Sequence, residues 1–197
     1  MEIHQISNFS NSYLLISKKI YLIDANNKNE VIKKVDKLNY IFITHAHYDH
    51  ICELYNIVSY FEFKPRVICH ELERIYVEGL KILKRNFFDF VKVKKLYVEG
   101  FSGKKIKINR NVELIHTPGH TDGSISVFFK KEKLIFIGDL LVRNKFGILD
   151  FSEEKNQDLD LVEESLKNIL KLKFKYAYLG HGDKATKKEI KKFLHLL

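Results

Sequence analysis

Four apolar runs in this chain lead, through a small residue or a tight turn, to a side chain of the kind that binds metals. Tyr40-Ile41-Phe42-Ile43 is followed by Thr44 and His45, and Leu134-Ile135-Phe136-Ile137 by Gly138 and Asp139. Tyr176-Ala177-Tyr178-Leu179 runs into Gly180-His181-Gly182, and a run ending at His116 passes through Thr117-Pro118-Gly119 to His120. Short β-branched and aromatic runs bounded by such residues read as buried strands. The Pro-Gly turn fixes where His120 projects. Ligands carried at the ends of separate strands converge on one sheet edge, where α/β folds place their chemistry.

The first of these segments is the densest. Thr44-His45-Ala46-His47-Tyr48-Asp49-His50 puts three imidazoles and a carboxylate between positions 45 and 50, in a chain with nine histidines. On an extended backbone, residues two apart point the same way, so His45 and His47 can reach one metal together. Asp49 and His50, a turn further on, face a neighbouring position. Imidazole nitrogen and carboxylate oxygen suit zinc, iron(II) or manganese(II). Structural zinc sites are closed and usually rich in cysteine, and no cysteine stands in these motifs.

The motifs Thr44–His50, Thr117–Thr121, Gly138-Asp139 and Gly180–Gly182, in that order, resemble those of the metallo-β-lactamase superfamily, in particular its hydroxyacylglutathione hydrolase-like (glyoxalase II-like) branch. Asn11-Ser12-Tyr13-Leu14, Leu22-Ile23-Asp24 and the stretch from Gly138 to Asp150 extend the resemblance, which covers about residues 5 to 190. It implies an α/β (α+β) fold: an αββα sandwich, two mixed sheets face to face with helices outside. It also implies two divalent metal ions, zinc first and iron or manganese as alternatives. His45, His47 and His120 are then expected to hold the first metal, and Asp49, His50 and His181 the second. Asp139 is expected to bridge both, and Asp49 and Asp139 are the acids the resemblance implies as catalytic. Asp24 is the acid expected to support the ligand loop, and His116 a further group that could face the site from behind, since ligating imidazoles need such partners. The implied reaction is attack by a metal-bridging hydroxide on a thioester, ester or lactone carbonyl of a small molecule.

Two other activities occur in the superfamily. One is oxygenation of a persulfide at a single iron, for which the resemblance implies His45, His47 and Asp139 as ligands. The other is nucleic-acid cleavage, for which a net charge of +9 is the expected electrostatic footprint. That charge comes largely from Lys-Lys pairs such as Lys18-Lys19, Lys33-Lys34, Lys104-Lys105 and Lys187-Lys188, the pattern of a solvated surface, so nucleic acid is not expected as a partner. The chain ends soon after Gly180-His181-Gly182, so the pocket that a further helical domain gives full-length glutathione thioester hydrolases is expected to be absent or built otherwise. Gly147-Ile148 stands where the family has Gly-Arg, Cys52-Glu53 where it has small residues, and Ala25-Asn26 where it has Pro-Gly. These departures bear on substrate recognition and leave the metal ligands untouched. Arg143 and Lys145 lie in the loop after Asp139, in reach of a substrate carboxylate, with surface exposure the expected role.

The remaining histidines, His4, His70 and His195, read as surface or capping residues, and Asp122 and Asp183 as turn or cap residues. Strands are expected at 2–6, 12–17, 20–24, 67–69, 93–98, 105–108, 111–116, 124–129 and 133–138. Helices are expected at 27–38, 51–61, most of 71–90, 153–171 and 186–194, the last opened by a capping box of Thr186 and Glu189. A chain of 197 residues is expected to form one domain, residues 1–197. Cys52 and Cys69 suit a reducing compartment better than a disulfide framework. No secretory signal pattern opens the sequence and no apolar run approaches a membrane span, so a cytoplasmic protein is expected.

Overall fold

The computed structural model describes residues 1–81, 83–86, 89–91, 94–153 and 157–196. They form two compact units, Met1–Phe101 and Ser102–Leu197.

The first unit contains, in order, β1 (Glu2–Ser7), β2 (Asn11–Ile16), β3 (Ile20–Ile23), α1 (Lys28–Ile32), β4 (Tyr40–Phe42), α2 (Tyr48–Ile51), α3 (Leu54–Tyr60), β5 (Arg66–His70), α4 (Glu71–Val77), β6 (Leu83–Asn86), β7 (Asp89–Val91) and β8 (Glu99–Phe101). Six strands make one mixed sheet in the order β1-β2-β3-β4-β5-β8, antiparallel as far as β3 and parallel from β3 to β8, while β6 and β7 pair separately. The parallel strands are short and nearly all apolar, as strands covered on both faces must be. Leu14, Leu22, Ile41, Ile43 and Val67 share a core with Val31 of α1 and Leu54 and Ile57 of α3.

The second unit contains β9 (Lys105–Lys107), β10 (Val112–His116), β11 (Ile125–Phe129), β12 (Leu134–Phe136), the 3-10 turn η1 (Gly138–Leu140), β13 (Val142–Arg143), β14 (Leu149–Asp150), α5 (Leu159–Ile169), β15 (Tyr176–Tyr178), β16 (Ala185–Thr186) and α6 (Lys187–Leu194). Its sheet runs β16-β15-β12-β11-β10-β9, with β12 and β15 parallel and the other pairs antiparallel. Val162, Leu166 and Ile169 of α5 and Ile190 of α6 pack on Ile135, Ile137 and Ala177 in a second core.

Several element boundaries depart from the sequence reading. The helix expected over 27–38 stops at Ile32. Val31, Val35 and Leu38 keep helical spacing and are buried, but Asn39 pins the chain to β3. Its N–H donates to the Ile20 carbonyl (3.0 Å) and its Oδ1 accepts from the Ile20 N–H (2.8 Å), so the backbone extends before Tyr40. The helix expected over most of 71–90 ends at Val77. Gly79, at φ 70°, closes it: the Leu80 N–H reaches the Ile75 carbonyl (2.9 Å) and the Gly79 N–H the Tyr76 carbonyl (3.0 Å), the double bond of a left-handed helix stop. The chain then returns as the β6–β7 pair, and residues 82, 87 and 88 of that expectation lie outside the described residues. The strand expected at 93–98 is displaced to Glu99–Phe101, where two guanidinium nitrogens of Arg66 meet the Glu99 carboxylate at 2.7 and 2.6 Å and fix the pairing with β5; residue 93 is not among those described. The helix expected at 153–171 spans Leu159–Ile169, opened by Asp158, whose Oδ1 accepts from the Leu161 N–H at 3.0 Å; 154–156 again lie outside the described residues. Among the described residues no helix is long and apolar enough to cross a membrane.

Candidate metal centre

In the first unit, β4 ends at Phe42 and the backbone carries Thr44 and His45 beyond the sheet edge. Asp24, at the end of the neighbouring β3, organises this ligand-bearing loop. It sits at φ 57°, a left-handed conformation that aspartate tolerates better than most residues, and its side chain is buried. Oδ1 accepts from the Thr44 N–H (2.8 Å); Oδ2 accepts from the Thr44 hydroxyl (2.8 Å) and faces Nδ1 of His50 (2.8 Å). Burial raises the Asp24 carboxyl above the usual carboxylate range, against the opposing pull of His50 and Thr44.

These bonds dictate the protonation of two imidazoles. Thr44 has one hydroxyl hydrogen, and it is directed to Asp24. The contact between Thr44 Oγ1 and His45 Nδ1 (3.1 Å) therefore requires the proton on Nδ1. With Asp24 ionised, the same holds for Nδ1 of His50. In that tautomer each ring would leave Nε2 unprotonated and able to meet a metal, the arrangement that outer partners impose on metal-bound histidines.

The donor spacings fit a metal. Two donors 2.0–2.1 Å from one tetrahedral ion stand roughly 3.3 Å apart. In the first unit His45 Nε2 lies 3.1 Å from His47 Nδ1, and His50 Nε2 lies 3.5 Å from Asp49 Oδ2. The second unit repeats the pattern: Asp139 Oδ2 is 3.3 Å from His181 Nε2 and 3.8 Å from His120 Nε2. Imidazole and carboxylate, without thiolate, suit zinc, iron(II) or manganese(II).

Strand register explains how remote residues meet. Parallel β12 and β15 pair Phe136 with Tyr178, and the ladder continues as the Ile137 N–H donates to the Tyr178 carbonyl (2.9 Å) and the Gly180 N–H to the Gly138 carbonyl (2.8 Å). Asp139 and His181 each lie the same distance past that pair, so they emerge side by side. His120 arrives from the β10–β11 hairpin, whose tip is held by α5: Ser165 Oγ donates to the Pro118 carbonyl (2.7 Å) and the Asp158 N–H to the Gly119 carbonyl (2.7 Å). His116 ties the same turn, its Nε2–H donating to the Asp122 carbonyl at 2.8 Å.

The supporting roles of three residues escaped the sequence reading. Glu73 of α4 is buried, and its Oε2 accepts from the N–H of Ala46, between two candidate ligands, at 2.8 Å. Ser10 Oγ donates to the Asp49 carbonyl (2.8 Å). Arg143, expected at the surface, instead lies in a network beside His181, while Lys145 is exposed as expected. No local pattern marked Glu73 or Ser10, whereas Arg143 stood out by its place in the loop after Asp139. His70 caps α4, accepting from the Leu72 N–H at 3.4 Å, as a capping role required.

The sequence model of the metallo-β-lactamase superfamily matches residues 7–181. The chain belongs to the metallo-β-lactamase superfamily. The match runs through both units and spans every candidate ligand, from His45 to His181. A protein of Streptococcus pyogenes named "Probable metallo-hydrolase" is 27% identical over 205 residues, covering 93% of this chain and 83% of that one. The hydroxyacylglutathione hydrolase GloC of Haemophilus influenzae is 25% identical over 164 residues, covering 77% and 76% respectively. Among solved structures, TTHA1623 in a di-iron-bound form superposes with a TM-score of 0.77 at 22% identity over the full length of both chains. That likeness is one of fold: the metallo-β-lactamase fold, with two mixed sheets and helices. The protein is thus a member of a superfamily of metallo-hydrolases and carries the histidines and aspartates to bind metal.

Proposed function

We propose that this protein is a binuclear metal-dependent hydrolase of a small thioester, ester or lactone. In this reading the two units form one domain; His45, His47 and His120 hold one divalent ion, Asp49, His50 and His181 the other, and Asp139 joins them. The observation that carries it is the convergence of His120 and His181, from segments far apart in sequence, on one oxygen of Asp139 at 3.8 and 3.3 Å. A carboxylate oxygen flanked by two imidazoles at ligand spacing is what a bridging aspartate presents. When bound, a pair of divalent ions supplies Lewis acidity to a carbonyl and acidifies a shared water to near neutral pH. The chain's own contribution is to fix the imidazole tautomers through Thr44 and Asp24, and to offset part of the cationic charge with Asp49 and Asp139. Zinc is the first candidate metal, with iron(II) and manganese(II) also suited to the donors. The relative named hydroxyacylglutathione hydrolase supports a thioester among the substrates. A cytoplasmic location and a small-molecule substrate belong to the same proposal.

Metal analysis of the purified protein, followed by assay against a panel of thioesters, esters and lactones, tests it. Asp139→Ala and His120→Ala are each expected to fold and to lose turnover by at least about three orders of magnitude, the scale on which metal-activated water contributes. Full activity in either variant overturns the assignment. Oxygen consumption with a persulfide by a protein holding one iron assigns the oxidative chemistry instead, and cleavage of nucleic acid assigns the nuclease reading.

A further inference from the structure

Outside the candidate ligands, Arg143 ties together the segment that follows His181. It stands on β13, paired with Leu149 of β14, and its guanidinium spans three segments of the second unit. One nitrogen donates to the Gly147 carbonyl (2.8 Å), closing the hairpin between β13 and β14. The other terminal nitrogen meets the Lys184 carbonyl (3.3 Å) and Oε1 of Glu189 (2.6 Å). The backbone joins in: the Arg143 N–H donates to the carbonyl of His181 itself at 3.0 Å. The approach is so close that a Cβ on Gly182, at φ +80°, would stand 2.5 Å from the Arg143 Cβ, so only glycine admits it. Glu189 is in turn engaged by the start of α6, its Oε2 accepting from the Thr186 N–H and hydroxyl at 2.7 Å each. The segment bearing His181 is therefore held at His181 by the Arg143 backbone, at Lys184 by its guanidinium, and beyond that by the capped helix.

We infer that Arg143 is a positioning residue for His181, setting the affinity of the metal position to which that histidine belongs. The planar guanidinium fork suits this role because it holds two carbonyls and a carboxylate in fixed directions, which an ammonium group cannot do. Its side chain is only 17% exposed, so the clamp works with partial shielding from solvent. The inference rests on the proposed two-metal reading and adds to it a residue outside the ligand set.

Titration of the apoprotein with cobalt(II) alone, followed by visible absorption, tests the inference without any substrate. The wild type is expected to bind two equivalents in distinguishable steps. Arg143→Met is expected to weaken one step by about ten- to a hundredfold, the cost usual for losing an outer partner of a ligand, and to leave the other unchanged. Arg143→Lys keeps the charge without the fork and is expected to recover only part of the loss. Glu189→Gln, which keeps cap acceptors and removes the facing charge, is expected to show the same selective weakening to a smaller degree, so the test does not hang on one variant folding. If folded Arg143→Met binds cobalt as the wild type does, or loses both steps equally, the positioning role is overturned while the metal centre stands. A wild type that takes up no cobalt overturns the metal centre itself, and this inference with it.

Discussion

A few buried polar side chains hold the ligand-bearing loop in place. Asp24 accepts from both the N–H and the hydroxyl of Thr44 and meets His50, so one carboxylate ties the strand end to a candidate ligand. Leu22-Ile23-Asp24 made that acid visible in the sequence, because it ends an apolar strand. Glu73 was not visible, since nothing in Glu71-Leu72-Glu73-Arg74 says which acid turns inward; burial beneath the loop decides it. Its bond to the Ala46 N–H yields a direct prediction. Glu73→Ala leaves a buried N–H without its acceptor and is expected to lower unfolding free energy by about 1–3 kcal/mol. Glu73→Gln keeps an accepting oxygen and should lose less, as urea denaturation of the two variants will show.

Elements place the ligands by register and by close approach. The β12–β15 pairing sets Asp139 beside His181; only the family resemblance, and no local pattern, brought the two together in the sequence, because parallel strands are joined through long connections whose register depends on the assembled sheet. The turn carrying His120 shows the same dependence. Gly119 has φ +133°, and a Cβ there would stand 2.4 Å from the backbone nitrogen of Val162 and 2.6 Å from its Cγ2. Gly119→Ala is therefore expected to push the His120 turn off α5, and to cost both thermal stability and metal affinity, measured by calorimetry and by metal titration. Pro118-Gly119 announced a turn in the sequence, whereas the α5 backbone against it is a tertiary fact. The capping box of α6 was fully legible, being a local pattern: Thr186 Oγ1 accepts from the Glu189 N–H at 3.2 Å, and the Glu189 side chain returns to Thr186. Those bonds to Thr186, with help from Arg143, hold the Glu189 carboxyl down at about 2. A lowered carboxyl stabilises the fold above its unfolded value, near 4.5, and that contribution is lost as pH falls toward 2. The melting temperature of Glu189→Gln should accordingly lie below that of the wild type at neutral pH, with the gap closing as pH is lowered through that window.

At the scale of the whole molecule, the proposed metals bind only the folded chain and should stabilise it by mass action. Removal by a chelator is expected to abolish turnover and lower the melting temperature, and zinc, manganese or iron should restore both; an unchanged melting curve and full activity after verified metal removal would count against a metal centre. The sequence by itself determined the fold class and the family, and it supplied the histidines and aspartates on which the metal proposal rests. Apolar runs ending in histidine or aspartate, in one fixed order, suffice to define a superfamily because strand formation, turn chemistry and donor type are properties of short segments. It also marked α6 and its cap for the same reason. What only the tertiary structure decided was where helices yield to strands after Ile32 and Val77, and which buried polar groups stand behind the ligands. Asn39 pinning β3, Gly79 stopping α4, Glu73 under Ala46 and Arg143 across the His181 segment all act through partners that the folded backbone brings within reach, and such contacts exist only once the chain has folded.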